Sequence, residues 1–146
     1  EEGRFVREIL EKAVIEKACG NLSKNDLLHL EYNLASQEVC CKNQDYLHML
    51  RLDEKFHGTI FRACKKEQTW SMISQLNNDF YRVRVLRLSH DFRWDKILSQ
   101  HYAIAEAIKN NDPAKAVSTA ESHLRMIIVE KDELKKDFPD YFTEQD

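Results

Sequence analysis

Six histidines are the residues of this chain with the most evident capacity for chemistry, and their helical neighbours separate them into two groups. Three have polar residues around them and are predicted to lie on the surface: His29, His48 and His90. The other three have apolar residues three or four positions away and are predicted to point inward: His57, His101 and His123. Asp53 precedes His57 by four residues, so both side chains share one helical face.

A buried imidazole or carboxylate needs a polar partner, because leaving it unsatisfied is costly. One divalent ion could satisfy three imidazoles and a carboxylate together, and helical bundles build such sites from facing helices. This ligand set suits zinc, nickel or a similar ion. Separate hydrogen bonds to carbonyls or hydroxyls are the alternative, since the spacing of Asp53 and His57 by itself arises easily by chance. The residue pattern leaves both readings open.

The composition favours long helices over other folds. The 146 residues include three glycines and two prolines, whereas average usage would give about 17 glycines and prolines together. This scarcity argues against sandwiches, barrels and glycine-rich phosphate loops. The net charge of −3, with lysine and arginine spread along the chain, argues against a nucleic-acid surface that binds phosphates irrespective of sequence. No apolar run reaches the roughly 18 residues that cross a bilayer, so no membrane partner is expected.

The four cysteines are predicted to be free thiols: Cys19, Cys40, Cys41 and Cys64. They form no C-x-x-C pair, and the adjacent Cys40 and Cys41 suit neither a zinc knuckle nor a simple bridge. Free thiols are typical of a reducing cytosol. With no signal-peptide pattern at the start, we expect a cytoplasmic protein. The chain begins without an initiator methionine, so we expect further sequence before Glu1 in the natural protein.

Apolar periodicity predicts six helices joined by short links. The predicted helices span approximately residues 4–19, 24–41, 45–64, 68–89, 93–109 and 113–136. Ser23 with Asp26 and Asp112 with Pro113 are typical helix starts, and Gly20 is a typical stop. The second half of the fourth helix alternates like a strand, but no strand partner exists elsewhere. The prediction is an all-α antiparallel bundle of about six helices in one domain, residues 1–146.

Four stretches of the chain resemble the ligand-binding C-terminal domain of GntR-type bacterial transcription regulators, the FadR C-terminal (FCD) class. The first is similar to the family's opening Arg-x-x-Leu-Glu helix, and the second matches its Asp-x-x-Phe-His motif. The third holds the fifth-helix histidine with its following turn, and the fourth is the closing His-Leu. These stretches are Val6–Ala13, Leu52–His57, Gln100–Ile108 with Asn111–Ala116, and Glu121–Leu124. The resemblance covers nearly the whole chain.

The resemblance implies one metal ion inside the bundle. Carried over residue by residue, its ligands are Asp53, His57, His101 and His123, and none of the four is missing. Zinc is the first expectation, with nickel or manganese as alternatives. The resemblance also implies a small carboxylate effector, either an organic or a sugar acid, and a homodimer. A winged helix-turn-helix domain precedes this domain in the family. That domain is absent here, so we expect DNA binding only through a domain missing from this chain.

An arginine near the metal would recognise the effector carboxylate by charge-assisted hydrogen bonds. Arg7 is the first candidate, from its place in the opening motif, and the alternative is a solvated residue on the first helix. Arg84 and Arg87 are weaker candidates. The chain departs from the family in the link at residues 64–68, where relatives often carry an Ala-Gly-Asn turn.

Three alternatives remain open. A metal-dependent hydrolase could use the open positions to activate water, but no separate general base can be placed. Glu54 follows Asp53 directly and so lies about 100° around the helix. We therefore expect no enzyme. A metal-free helical interaction module would use the histidines as ordinary core residues. A purely structural metal, with the effector bound elsewhere, is the third alternative.

Overall fold

The computed structural model describes residues 2–76, 94–137 and 139, and within them the chain is helical. The helices are α1 (Glu2–Ala18), α2 (Lys24–Asn43), α3 (Tyr46–Ala63), α4 (Glu67–Leu76), α5 (Trp94–Lys109) and α6 (Pro113–Asp137). The predicted all-α bundle is confirmed. The predicted fourth helix agrees up to Leu76, and its second half, including Arg84 and Arg87, lies outside the described residues, as does His90. No described helix contains an apolar stretch suited to spanning a membrane.

The predicted signals at the helix ends are confirmed. Ser23 and Asp26 form a capping box, in which each side chain accepts a hydrogen bond from the other residue's backbone N–H. The Asp112 side chain accepts from the backbone of Lys115 at 3.0 Å. Gly20 has a φ of +69°, and a Cβ there would lie 2.8 Å from the Asn111 side chain. Only glycine combines that backbone angle with so close a neighbour.

The turn between α2 and α3 differs from its prediction, because α2 continues two residues past the expected end to Asn43. Gln44 then adopts the left-handed conformation, with a φ of 56°. Asp45 N–H donates to Cys40 O at 2.9 Å and Gln44 N–H donates to Cys41 O at 3.2 Å. This is the Schellman arrangement that ends many helices. Asp45 is also the N-cap of α3, because its side chain accepts a hydrogen bond from the backbone N–H of His48.

The apolar pattern misassigned the first half of the inward face of α1, although Val14 and Ala18, from the same pattern, are buried. The pattern predicts Phe5 and Ile9 in the core, yet they are 61% and 49% exposed. Three apolar residues from the patterns that predict the second and third helices are also exposed: Leu28, Val39 and Leu47. The helix instead buries Arg7 and Glu11 in line with Val14, Ile15 and Ala18. Polar partners inside the bundle, described below, make this orientation favourable.

Two apolar clusters surround the polar interior and fix the helices that carry it. The larger draws on all six helices and includes Ile15, Leu34, Phe56, Ile73, Ile104 and Ala120. The smaller includes Met49, Leu50, Trp94 and Ile97. Phe56 stacks on His101 with ring centroids 4.4 Å apart. The apolar core therefore sets the positions of α3, α5 and α6 relative to one another.

The link after α3 suggests a stabilising substitution. Lys65 has a φ of 59°, and Lys66 N–H donates to Phe61 O at 2.8 Å. A left-handed backbone strains a lysine more than a glycine. We expect Lys65→Gly to raise the free energy of unfolding by about 0.5–1 kcal/mol, net of the added freedom of the unfolded chain. The melting temperature, followed by circular dichroism, should rise by about 2–4 °C per kcal/mol.

Lys96→Gly is the matched control, because Lys96 is an exposed lysine within α5 and does not have a positive φ. There glycine adds only flexibility, and we expect a lower melting temperature. Equal destabilisation by both substitutions would contradict this account of the turn.

Candidate metal centre

Four buried side chains meet inside the bundle. Asp53 and His57 come from successive turns of α3, His101 from α5 and His123 from α6. Each is at most 3% exposed, and one ligand atom from each lies within 4.8 Å of all the others. The structure thus brings together the four residues that the sequence singled out. We call them the quartet.

Three distances within the quartet are those expected between neighbouring ligands of one metal ion. His123 Nε2 lies 3.2 Å from His57 Nε2 and 3.3 Å from His101 Nε2. His101 Nε2 lies 3.4 Å from Asp53 Oδ1. Ligand atoms about 2.0–2.1 Å from a zinc ion are about 3.0 Å apart in an octahedron and about 3.4 Å apart in a tetrahedron. The ligand atoms of the quartet therefore fit a single divalent ion.

Each imidazole of the quartet has an acceptor at its outer nitrogen. The contacts are His57 Nδ1 to Glu11 Oε2 at 2.6 Å, His101 Nδ1 to Gln37 Oε1 at 2.8 Å, and His123 Nδ1 to Gln100 Oε1 at 3.1 Å. An acceptor at Nδ1 places the ring proton there, which leaves the Nε2 lone pair directed at the centre. Metal-binding histidines are typically oriented in this way.

A chain of hydrogen bonds sets the tautomer of His101 without ambiguity. The Leu52 carbonyl can only accept, so Asn33 Nδ2 donates to it, at 3.0 Å. The other end of that amide, Asn33 Oδ1, then accepts from Gln37 Nε2 at 2.6 Å. Gln37 therefore presents its oxygen to His101 Nδ1, and His101 must donate. The backbone carbonyl next to Asp53 thus orients a ring on another helix.

Arg7 connects α1 to the centre through Glu11, Glu54 and Trp70. Its Nε donates to Glu11 Oε1, and its Nη1 lies 3.2 Å from Glu54 Oε1. Its guanidinium lies 5.5 Å from the ring centroid of Trp70, and Trp70 stacks on His57 at 6.3 Å. The alternative of a solvated Arg7 is wrong, because this side chain is 2% exposed. Its role in effector binding stays a prediction.

The buried groups hold defined protonation states. Burial raises the pKa of Glu11, but His57 and Arg7 outweigh burial and hold it at about 2. Burial lowers the pKa of Arg7, yet Glu11, Glu54 and Asp53 together raise it further above its usual value. Burial, followed by the neighbouring His101 and His57, lowers the pKa of His123 well below its usual value. Its imidazole is therefore neutral at neutral pH, which is the form that binds metals.

The formal charges of the centre leave room for a cation. Among the described residues, the Arg7 guanidinium interacts electrostatically with three carboxylates, those of Glu11, Glu54 and Asp53. With the imidazoles counted as neutral, the form that binds a metal, these four residues carry a net formal charge of −2. Because unbalanced buried charge is costly, a divalent ion would be electrostatically favourable here.

Sequence reasoning correctly placed His29 and His48 on the surface but missed the residues that hold the quartet. These are Glu11, Asn33, Gln37 and Gln100. The sequence contains a signal for two of them, because residues four apart on a helix are neighbours. Glu11 lies four residues after Arg7, and Gln37 lies four residues after Asn33. Glu54 is 30% exposed and paired with Arg7, so it lies apart from Asp53 as expected.

Comparison with known proteins places this geometry in a family. The family model of the FCD domain matches residues 4–126. The chain is 24% identical over 143 residues to the HTH-type transcriptional repressor RspR of Escherichia coli K12 and to the HTH-type transcriptional regulator YdfH of Shigella flexneri. Those matches cover 98% of this chain and 63% of each relative.

A match to the HTH-type transcriptional regulator YdhC of Bacillus subtilis is 26% identical over 113 residues, and covers 75% of this chain and 50% of that protein. The chain thus spans under two thirds of the length of these curated relatives. Since the family model covers well over half of the chain, the chain belongs to the FCD domain family.

Proposed function

We propose that the chain is the effector-sensing domain of a transcription regulator, which binds one divalent ion at the quartet and, with it, a small carboxylate. The observation that carries the proposal is the common orientation of three imidazoles. Each has its Nδ1 on an acceptor, and His57 and His101 both direct Nε2 at the Nε2 of His123 within 3.3 Å. Three such lone pairs repel one another unless a cation or proton lies between them.

Zinc is the proposed ion, with nickel or manganese as alternatives, because neutral imidazole and carboxylate suit all three. His57, His101 and His123 would hold it through nitrogen, and Asp53 would supply the one negative charge. A bound divalent ion would retain a net charge of about +1 and offer its open positions to the oxygens of an effector. Organic and sugar acids are the proposed effector class.

Arg7 is the proposed effector-contacting arginine within the described residues. It is buried and cationic, and it is linked to His57 through Glu11 and through Trp70. A movement of its guanidinium towards an acid would therefore change contacts on both α1 and α3. Arg84 and Arg87 lie outside the described residues and stay weaker proposals.

The regulatory part of the proposal follows from the relatives, which are named as HTH-type transcriptional regulators or repressors. We propose a winged helix-turn-helix domain before this domain, DNA binding through that domain alone, a homodimer, and action in the cytoplasm, where the DNA is. An effector shifts such a regulator only by binding two conformations with different affinity. The same relatives support a regulatory domain rather than an enzyme.

Removing a quartet histidine tests the metal site. We expect His101→Ala and His123→Ala each to lose one equivalent of bound zinc per chain, measured by elemental analysis after dialysis. The zinc-dependent rise in melting temperature should disappear in both, because a ligand that binds only the folded state stabilises it.

The exposed His29 on α2 provides the control, and His29→Ala should keep its zinc. Unchanged zinc content in both quartet variants would refute the site and would favour the metal-free interaction module.

The hydrogen bond to His101 Nδ1 supplies a second test. Gln37→Met nearly preserves side-chain volume but removes the acceptor, so the ring loses its fixed orientation. We expect zinc affinity, measured by competition with a chelator, to fall by about 10- to 100-fold. Gln68→Met changes an exposed glutamine on α4 and should leave the affinity unchanged. Equal zinc affinities of the unchanged chain, Gln37→Met and Gln68→Met would mean that the hydrogen bond between Gln37 and His101 does not support metal binding.

The effector is tested by thermal shift of the zinc-loaded chain against a panel of hydroxy acids, dicarboxylates and sugar acids. At a ligand concentration one hundred times its Kd, we expect about 2.7 kcal/mol of stabilisation, or a shift of several degrees. Arg7→Met should reduce the shift while zinc remains bound. If no acid in the panel raises the melting temperature, the sensing role is wrong even where zinc binding holds.

A further inference from the structure

A second group of potential metal ligands lies at the junction of α2 and α3, in residues that the quartet does not use. One ligand atom each from Cys40, Asp45 and His48 lies within 4.8 Å of the other two. We propose that these three residues, which we call the junction cluster, bind a second divalent ion with affinity for sulfur, of the zinc class. This proposal does not depend on the proposed function.

The backbone of the junction builds the cluster. The left-handed Gln44 reverses the chain, so that Asp45 N–H donates to Cys40 O at 2.9 Å. This hydrogen bond brings Asp45 next to the last turns of α2. Asp45 then begins α3, where its Oδ1 accepts from the backbone N–H of His48 at 3.2 Å. The three side chains are thus positioned by local hydrogen bonds within nine residues.

The acidic side chain in the cluster has one oxygen available for a cation. Asp45 Oδ1 serves as the helix cap, whereas Asp45 Oδ2 lies 3.7 Å from His48 Nδ1. That distance is too long for a hydrogen bond. An ion between carboxylate and imidazole would replace this loose contact with two coordination bonds.

The exposure of the three residues suits an ion that enters from solvent. The side chains of Asp45 and His48 are 54% and 56% exposed, so both can rotate to bring their ligand atoms onto one ion. Cys40 is 5% exposed and forms the inner wall of the cluster. Its neighbour Cys41 is directed elsewhere, with its Sγ 3.9 Å from Met49 Sδ. Only one of the two adjacent cysteines is therefore placed to bind the ion.

The ligand chemistry distinguishes this cluster from the quartet. A thiolate, an imidazole and a carboxylate are all zinc ligands, and three protein ligands leave one position for water. Burial, followed by the charge of Asp45, raises the pKa of the Cys40 thiol, so the metal-free thiol is protonated. Binding forms a metal–sulfur bond and releases the Sγ proton to solvent. The quartet contains only nitrogen and oxygen ligands.

Cobalt(II) titration of the metal-stripped chain tests the proposal, because cobalt replaces zinc and reports its ligands. We expect a thiolate-to-cobalt charge-transfer band in the near ultraviolet, which nitrogen and oxygen ligands do not produce. Cys40→Ser should abolish the band. Asp45→Asn and His48→Gln should weaken the binding that produces it by about tenfold or more. Asparagine caps a helix as well as aspartate, and both residues are exposed, so these two variants keep the fold.

Matched cysteine variants complete the design. Cys41→Ser and Cys19→Ser should keep the band, because neither thiol belongs to the junction cluster. His101→Ala should also keep it while losing the metal of the quartet, so that failure of one site is separable from failure of the other. Cobalt binding without the band, or a band that survives Cys40→Ser, would overturn the proposal.

Discussion

The interior of this bundle depends on three polar contacts that hold imidazole rings by their outer nitrogens. The side-chain oxygens of Glu11, Gln37 and Gln100 lie 2.6, 2.8 and 3.1 Å from the Nδ1 atoms of His57, His101 and His123, and each comes from a different helix than its histidine. With the protons held outside, three lone pairs face one point together with the Asp53 carboxylate. Such an arrangement is costly without a cation, and the proposed ion would offset that cost.

The same constraint accounts for the orientation of α1. Its apolar residues Phe5 and Ile9 lie exposed, while Arg7 and Glu11 are buried. Glu11 orients His57, and Arg7 neutralises Glu11 and approaches Glu54 on α3. A helix that buries an ion pair can do so only where the partners are complete. The opening helix therefore belongs to the site as much as α3, α5 and α6 do, and a change at the centre has a direct route to α1.

Much of the fold could be predicted because its signals are local. Ser23, Gly20 and Asp112 mark helix ends through hydrogen bonds and backbone angles within a few residues. The inward faces of His57, His101 and His123 follow from apolar neighbours one turn away. The face of α1 could not be predicted in this way, since a count of apolar residues cannot anticipate that Arg7 and Glu11 find partners on other helices.

Within the described residues, the sequence by itself determined six helices and the identities of the four quartet residues, because helical periodicity and capping act over one turn. The helix boundaries agree to within about two residues, apart from the predicted end of the fourth helix, which lies outside the described residues. Only the tertiary structure decided that these residues meet, which nitrogen of each ring carries the proton, and that Gln37 reaches His101 from another helix. It also brought Cys40 beside Asp45 and His48. Distances between side chains on different helices depend on packing and on single backbone angles such as that of Gln44, and no local pattern encodes them.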